Sequence, residues 1–513
     1  MKKTFLLIFL SWLLFFIVIP PLHTPDETEH YENTFWLSRF IYPYQPKDRT
    51  KPKLFVDGLM KLYLPFDINT IKNSPLKRTT YSEEQIKKME PITLQSYHPP
   101  FYYFLLSFSH HLSNYLRLDL ISRFYITRLF SSLFYFGTVL LACKILKILF
   151  IEEFLISSLL LFFSLNPLVV KSVVGINPDN GMTFFSILFL YLIMKWQKTR
   201  VITLKQTIIL SLVAAASTLS KFSGVFTLLM FPLYAYTKGK ISSKTVTLSV
   251  LFFTLSLIFM SPWFLLNLSR YGGLSPSSFQ FAEYRTLQPH NIFQAMILSA
   301  FEFRHTIIHY AGFLGPTNNI NPPKLFFLMY TVVVSFLSLI GFITLLIHSK
   351  NRKKFVWIIV HFLSLVAFLF VLGTYFKKEG FSWDLQGRYF VPGFFSMTIF
   401  IYFGILKLLH PVTTTLLRLN RNLRSGILTN VTFGYGVKNN DKLTSCILFF
   451  SALIHFYYIL FFVLIPFYYP FNTLLYDLGL LYSFFNILFI GALISHVVLS
   501  FSIIRRLFSP ISK

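Results

Sequence analysis

Twelve stretches of this chain are apolar over roughly the 20 residues that a helix needs to cross a bilayer. They are 5–22, 123–143, 153–174, 179–195, 204–220, 222–236, 244–266, 325–347, 354–375, 388–408, 443–469 and 478–503. The expected fold is therefore all-α, a polytopic integral membrane protein of about 12 transmembrane helices. Composition agrees. Charged residues make up 13% of the chain, against about 25% in a soluble domain. Its 63 Phe residues are more apolar surface than one soluble core of this length could hide. Cys143 and Cys446 are far apart, each inside an apolar run, and read as small core residues, not a disulfide framework.

The first run follows Met1-Lys2-Lys3 as a signal peptide would. No small-residue cleavage site follows, and Pro20-Pro21 ends the run, so it is expected to stay as the first span. Runs 204–220 and 222–236 are short and separated by Ser220-Lys221, the pattern of a broken or tilted pair.

The net charge of +27 does not indicate nucleic acid. Lys and Arg punctuate the apolar runs, as topology determinants do. With the N-terminus inside, the inner connections carry Lys144 and Lys147; Lys195, Lys198, Arg200 and Lys205; Lys238, Lys240 and Lys244. The later ones carry Lys350, Arg352, Lys353 and Lys354; Arg418, Arg421 and Arg424; Arg505, Arg506 and Lys513. This predicts a multi-pass protein of the plasma (inner) membrane with both termini cytoplasmic. The apolar stretch 98–114 would invert every later loop if it crossed, so it is expected as an interfacial or re-entrant helix on the outer face.

Two long loops then lie outside: 23–122, with interfacial helices, and 267–324, with an amphipathic helix expected near 291–310. Long loops in a compact protein are commonly functional. The domain reading is a catalytic membrane module over 1–408, a basic, structureless inner loop over 409–442, and a helix pair with a basic tail over 443–513.

Acidic residues are scarce, so their positions are informative. Asp26 and Glu27 follow Pro25 just beyond the first span. They suit either the first turn of a helix or catalysis. Asp179, in Asn177-Pro178-Asp179, suits a helix start or a polar contact at the mouth of an intramembrane cavity. Arg388, in Gly387-Arg388-Tyr389, could snorkel, pair with Asp384, or hold a phosphate. Lys221 admits snorkelling and phosphate binding.

Five motifs occur in order. They are Pro25-Asp26-Glu27 with His30, His98-Pro99-Pro100-Phe101-Tyr102-Tyr103, Asn177-Pro178-Asp179, Lys221-Phe222-Ser223-Gly224, and Gly387-Arg388-Tyr389-Phe390-Val391-Pro392. Together they resemble GT-C membrane glycosyltransferases related to the protein O-mannosyltransferases and aminoarabinose transferases (glycosyltransferase family 39), most of all a prokaryotic polytopic branch of them. The resemblance runs from the N-terminus to the tenth span. It implies an outer-face active site using a polyprenyl-phosphate-linked sugar and an acceptor that is a surface glycan, lipid or protein. Asp26 and Glu27 match the catalytic acidic position and Asp179 the second one. His98, Tyr102 and Tyr103 match the segment lining the donor entrance. Arg388 and Lys221 are the donor-phosphate candidates. No cofactor is certain; some GT-C enzymes employ a divalent metal, and His23, Asp26, Glu27 and His30 could bind one. Glu29 departs from the pattern, as a third acid where a small residue or Pro is usual. The second loop keeps only a loose likeness, in His309-Tyr310-Ala311-Gly312-Phe313. Other readings of the same chain are an O-antigen-type polymerase or ligase, and a lipid or sugar transporter. A transporter would carry its ionisable groups nearer the bilayer midplane and in repeated halves.

Overall fold

In the computed structural model each of the twelve apolar runs is mainly helical over its described residues. Those residues are 1–19, 24, 26–38, 98–118, 120–199, 201–239, 242–271, 290–310, 324–347, 349–380, 387–423, 432–461, 465 and 480–508. No strand occurs among them. The first half contains α1 (Lys2–Val18), α2 (Glu27–Ser38), α3 (Phe101–Tyr115), α4 (Leu120–Leu149), α5 (Glu153–Ser164), α6 (Pro167–Val174), α7 (Pro178–Trp196) and α8 (Leu204–Ser220). After a 3-10 turn at Phe222–Val225 come α9 (Phe226–Gly239), α10 (Ser243–Tyr271), α11 (Ile292–Tyr310), α12 (Lys324–Ile347) and α13 (Ser349–Lys378). A second 3-10 turn, Gly387–Phe390, leads into α14 (Val391–Leu423), followed by α15 (Thr432–Ile459) and α16 (Leu480–Phe508).

Among the described residues six segments are long and apolar enough to cross a membrane alone: Ser122–Leu149, Ser243–Ser269, Lys353–Lys378, Val391–Pro411, Asp441–Ile459 and Ile487–Ile504. Shorter apolar helices, including Glu153–Ser164 and Leu204–Ser220, pack among them. The helix α3 is only 15 residues long, about 22 Å, which is short of a bilayer core. It packs on α2 and α4. Tyr102, Tyr103, Leu106 and His110 face inward, while Phe104, Phe108 and Leu112 are exposed, the two-sided pattern of an interfacial helix.

Two expectations change. The run 153–174 is not one helix, because α5 stops at Ser164 and α6 begins at Pro167. Proline disfavours helical backbone in the residue before it, here Asn166, and cannot donate to the preceding turn. The inner loop 409–442 is not structureless. Helix α14 continues to Leu423 and α15 starts at Thr432. Pro411 stands inside the helix, and the stretch 412–424 beyond it contains neither Gly nor Pro, so the helix runs on past the end of its apolar run. The amphipathic helix expected near 291–310 is α11, packed on α13 and on the Gly387–Phe390 turn.

Aromatic packing and a few buried polar ties hold the bundle. Trp12 of α1 donates its indole N–H to Ser132 of α4 at 3.0 Å. Ser11 of α1 pairs with His496 of α16 at 2.8 Å, and His496 pairs with Tyr457 of α15 at 2.7 Å. Among the described residues the most extensive helix pairing is that of α12 with α14. A Cβ at Gly341 would strike the Phe400 carbonyl, and one at Gly404 the Leu337 carbonyl. The two backbones meet there without side chains between them, the small-residue contact usual between membrane helices. Cys143 is buried, Cys446 is half-buried, and both are free thiols.

Candidate active site

The five sequence motifs, spread over more than 360 positions of the chain, are joined by hydrogen bonds, ion pairs and ring contacts at one end of the bundle. The turn after α1 comes first. Asp26 has a left-handed backbone, φ 58°, which Asp tolerates better than most residues. Its carbonyl accepts from the His30 amide at 3.0 Å, so the conformation feeds directly into α2. Asp26 is partly exposed. Glu27, the next residue, is buried.

Glu27 is held from three sides. Arg128 of α4 forms a bidentate pair with it: Nε donates to Oε1 and Nη2 to Oε2, each at 2.7 Å. The Ile176 amide donates to Oε1 at 3.1 Å and the Thr24 amide to Oε2 at 3.4 Å. Arg128 is itself fully buried, donates Nη1 to the Ile19 carbonyl at 2.8 Å, and lies against the Phe124 ring at 5.0 Å. A buried Arg within an apolar stretch of helix is costly unless paired, and here each donor named has a partner. Gly175 lets the turn approach, because a Cβ there would strike Thr24.

The segment 175–180 links this pair to the next motifs. Asn177 caps α7, its Oδ1 accepting from the Asp179 amide at 2.9 Å, with Pro178 in the first turn. The Asn177 amide donates to the Tyr102 hydroxyl at 2.9 Å, and Tyr102 in turn pairs with Ser131 of α4 at 2.8 Å. Asn180 Nδ2 also reaches Ser131 at 2.8 Å. Burial first, then the nearby Glu27 and Asp179 charges, push the Tyr102 phenol far above its ordinary value, against the lowering effect of its hydrogen bonds. It is a neutral hydrogen-bonding strut. Tyr103 pairs with His30 Nδ1 at 2.8 Å, and the His30 and His98 rings lie 5.4 Å apart.

Asp179 is buried and accepts from Lys221 Nζ at 2.7 Å. Lys221 sits where α8 stops, with extended backbone (φ −153°, ψ 137°), between Ser220 and the 3-10 turn. Its ammonium lies 4.2 Å from the centre of the Tyr389 ring, a cation–π contact. That contact brings the turn carrying Arg388 beside Lys221. The broken pair of short helices expected from sequence thus delivers one cation to the site.

The geometry gathers Asp26, Glu27, His98, Tyr102, Tyr103, Asp179 and Lys221 in a connected cluster. His23, Pro25, Asp384 and the side chains of Glu29 and Arg388 lie outside the described residues. Sequence reading missed Arg128 and Ser131. The signal for Arg128 was available, a guanidinium within an otherwise apolar stretch. For the metal set Asp26, Glu27 and His30, both Glu27 oxygens already face a guanidinium, and His30 Nδ1 is engaged by Tyr103. Among the described residues no three His, Cys, Asp or Glu side chains group as metal ligands. Of the four residues named as possible metal ligands, Glu27 and His30 already have these partners, and His23 lies outside the described residues.

A family model described as "Predicted membrane protein (DUF2142)" matches residues 9–396. The chain belongs to that family. It is an integral, multi-pass membrane protein, and the family segment ends in α14, leaving α15 and α16 beyond it. The connected cluster lies wholly inside the family segment. A search of the curated proteins finds no match. Among solved structures, the chain is similar to ArnT from Cupriavidus metallidurans in the apo state, at 12% identity and a TM-score of 0.42, covering 97% of this chain and 76% of that one. It is also similar to the archaeal oligosaccharyltransferase AglB from Archaeoglobus fulgidus in complex with an inhibitory peptide and a dolichol-phosphate, at 11% identity and a TM-score of 0.43. That match covers 89% of this chain and 55% of the other.

Proposed function

We propose that this protein is a membrane glycosyltransferase of GT-C type, which moves a sugar from a polyprenyl-phosphate-linked donor to an acceptor hydroxyl or amine on the outer face of the plasma membrane. The observation that carries the reading is the convergence of the motifs. Residues 26–30, 98–103, 177–180, 221 and 389 are distant in sequence yet linked by contacts within one cluster. Structural helix starts alone would not require that.

The roles follow from the chemistry. Asp26, partly exposed beside the locked Glu27, is the general base. The acceptor oxygen or nitrogen attacks the anomeric carbon, its proton passes to the Asp26 carboxylate, and the bond from that carbon to the phosphate oxygen breaks. The lipid phosphate leaves with the bonding electrons, and direct displacement inverts the anomeric centre. Glu27 is a positioning residue. Its oxygens are engaged by Arg128 and two backbone amides, so it fixes the turn that presents Asp26 and takes no proton itself. Lys221 and Arg388 hold the donor phosphate, where cations offset the charge that develops on the leaving group. Asp179 orients the Lys221 ammonium. His98, Tyr102 and Tyr103 form the wall behind α2 and keep the donor side of the site in shape. Both termini are cytoplasmic in this reading, which puts Asp26 outside.

Mass spectrometry of lipid-linked sugars and surface glycans, in cells with and without the gene, tests the function. A glycan lacking one sugar residue, with its lipid-linked donor accumulating, is the expected result. Unchanged glycans and unchanged lipid-linked sugars would remove the transferase reading.

A further inference from the structure

The opposite end of the bundle holds a second constructed feature. Helix α1 has 17 residues, so about 25 Å of helix separates its start from the turn that bears Asp26. At that start lies a cavity of about 560 Å³, lined among others by Lys2 and Lys3 of α1, Glu152 and Phe154 at the head of α5, Lys442 of α15 and Ile503 of α16. Four helices thus frame one opening. Lys3 is tied to Ser502, and Thr4 donates to Ser157 at 3.1 Å, closing the floor between α1 and α5.

The lining has three kinds of chemistry in one place. Lys2 and Lys442 are exposed cations, while the Met1 ammonium and Glu153, also in the lining, are paired with each other at 2.7 Å. Glu152 is an acid whose carboxyl is raised above the ordinary range by burial first and then by the nearby Asp441, with Lys442 opposing. Two neighbouring carboxylates favour a cation between them. Phe154 and Ile503 add apolar wall at the level where the helices enter the bilayer. An anion alone would meet Glu152 unfavourably, and a cation alone would meet the lysines. A zwitterion with an attached hydrocarbon tail satisfies all three, and the volume is in the range of small-molecule sites. Basic pockets between membrane helices are a recurring place for lipid head groups.

We propose that this cavity binds the head group of an ethanolamine phospholipid from the adjoining leaflet. Its phosphate sits on Lys2 and Lys442, its primary ammonium donates to Glu152, and its acyl chains run along Phe154 and Ile503. The proposal does not depend on glycosyl transfer.

Native mass spectrometry of the purified full-length protein, released from mild detergent and titrated with dioleoyl phosphatidylethanolamine, phosphatidylglycerol or phosphatidylcholine, reads it directly. The ethanolamine lipid should bind about tenfold more tightly than either of the others, because only it supplies both charge-assisted partners. Lys442→Gln should weaken ethanolamine-lipid binding by about tenfold, while Lys442→Arg keeps it. Glu152→Gln should abolish the preference for ethanolamine over glycerol. Each variant is to keep the wild-type melting temperature, since these side chains are at the rim. Equal binding of the three lipids overturns the proposal, as does tighter binding of phosphatidylglycerol or wild-type affinity in Lys442→Gln.

Discussion

Glu27 and Arg128 show how much one pair can decide. Both are buried, with bidentate contact at 2.7 Å and two backbone amides completing the carboxylate. Removing one partner of such a pair strands the other charge, at a cost of about 3–5 kcal/mol. Arg128→Ala should therefore lower the thermal midpoint in detergent sharply, and Arg128→Ala with Glu27→Ala should recover part of the loss. A double variant no more stable than the worse single one would show that the pair is not a closed unit. His110 makes a pH prediction. Burial first, then Arg123 and His111, lower its pKa from 6.5 to about 3, and it pairs with Thr34 at 2.7 Å. Between these values the unfolded chain binds a proton that the folded one refuses. Stability from this residue is complete above about pH 6.5 and is lost as the pH falls toward about 3. His110→Gln should flatten the fall in melting temperature on acidification, and an unchanged slope would rule the group out. At this scale Asp26, Asp179 and Lys221 were legible because acids and a lone Lys stand out in an apolar chain. Arg128 was passed over inside a span. Its partner lies 101 positions away, and no local pattern encodes such a pairing.

At the scale of elements, the apolar runs gave helix position and type, since a bilayer demands internally hydrogen-bonded segments. The capping pair Thr203 and Gln206, each side chain accepting from the other's backbone amide at 3.1–3.2 Å, fixes where α8 begins. What periodicity and length did not give were the interruptions. Hydrophobicity reads straight through Asn166-Pro167 because both halves are apolar, whereas the chain breaks for a backbone reason. Likewise the end of an apolar run marks where lipid ends and not where a helix must, so α14 extends past it. Contact between helices was also hidden. Gly404→Ala places a methyl against the Leu337 carbonyl, where backbone cannot yield as a side chain does. A loss of about 1–3 kcal/mol, read as a lower melting midpoint, is expected, with the larger cost for Gly404→Val. Tolerance of Val at this position would mean that α12 and α14 are farther apart than described.

For the whole molecule, two ends of one bundle carry different chemistry. One end joins the motif residues around Asp26, and the other forms the mixed-charge cavity at Lys2, Glu152 and Lys442. In the topology proposed from the basic loops the second end is the cytoplasmic one. Cysteines introduced at Lys144, Lys198, Lys353 and Arg421 should therefore react with impermeant thiol reagent only after the membrane is opened, in a background lacking Cys143 and Cys446. Labelling of any two in sealed cells would invert the topology and bring Asp26 inside.

In the proposed reaction Asp26 removes the acceptor proton in a glycosyl transfer at the outer face. Asp26→Asn keeps the size of the side chain and its tolerance of the left-handed backbone, and removes the charge and with it the basicity. A general base contributes about 10²–10⁴-fold. Transfer from a polyprenyl-phosphate-linked sugar by the purified variant should fall by that order, with wild-type expression, melting temperature and apparent donor affinity. Transfer by Asp26→Asn at the wild-type rate would contradict the account.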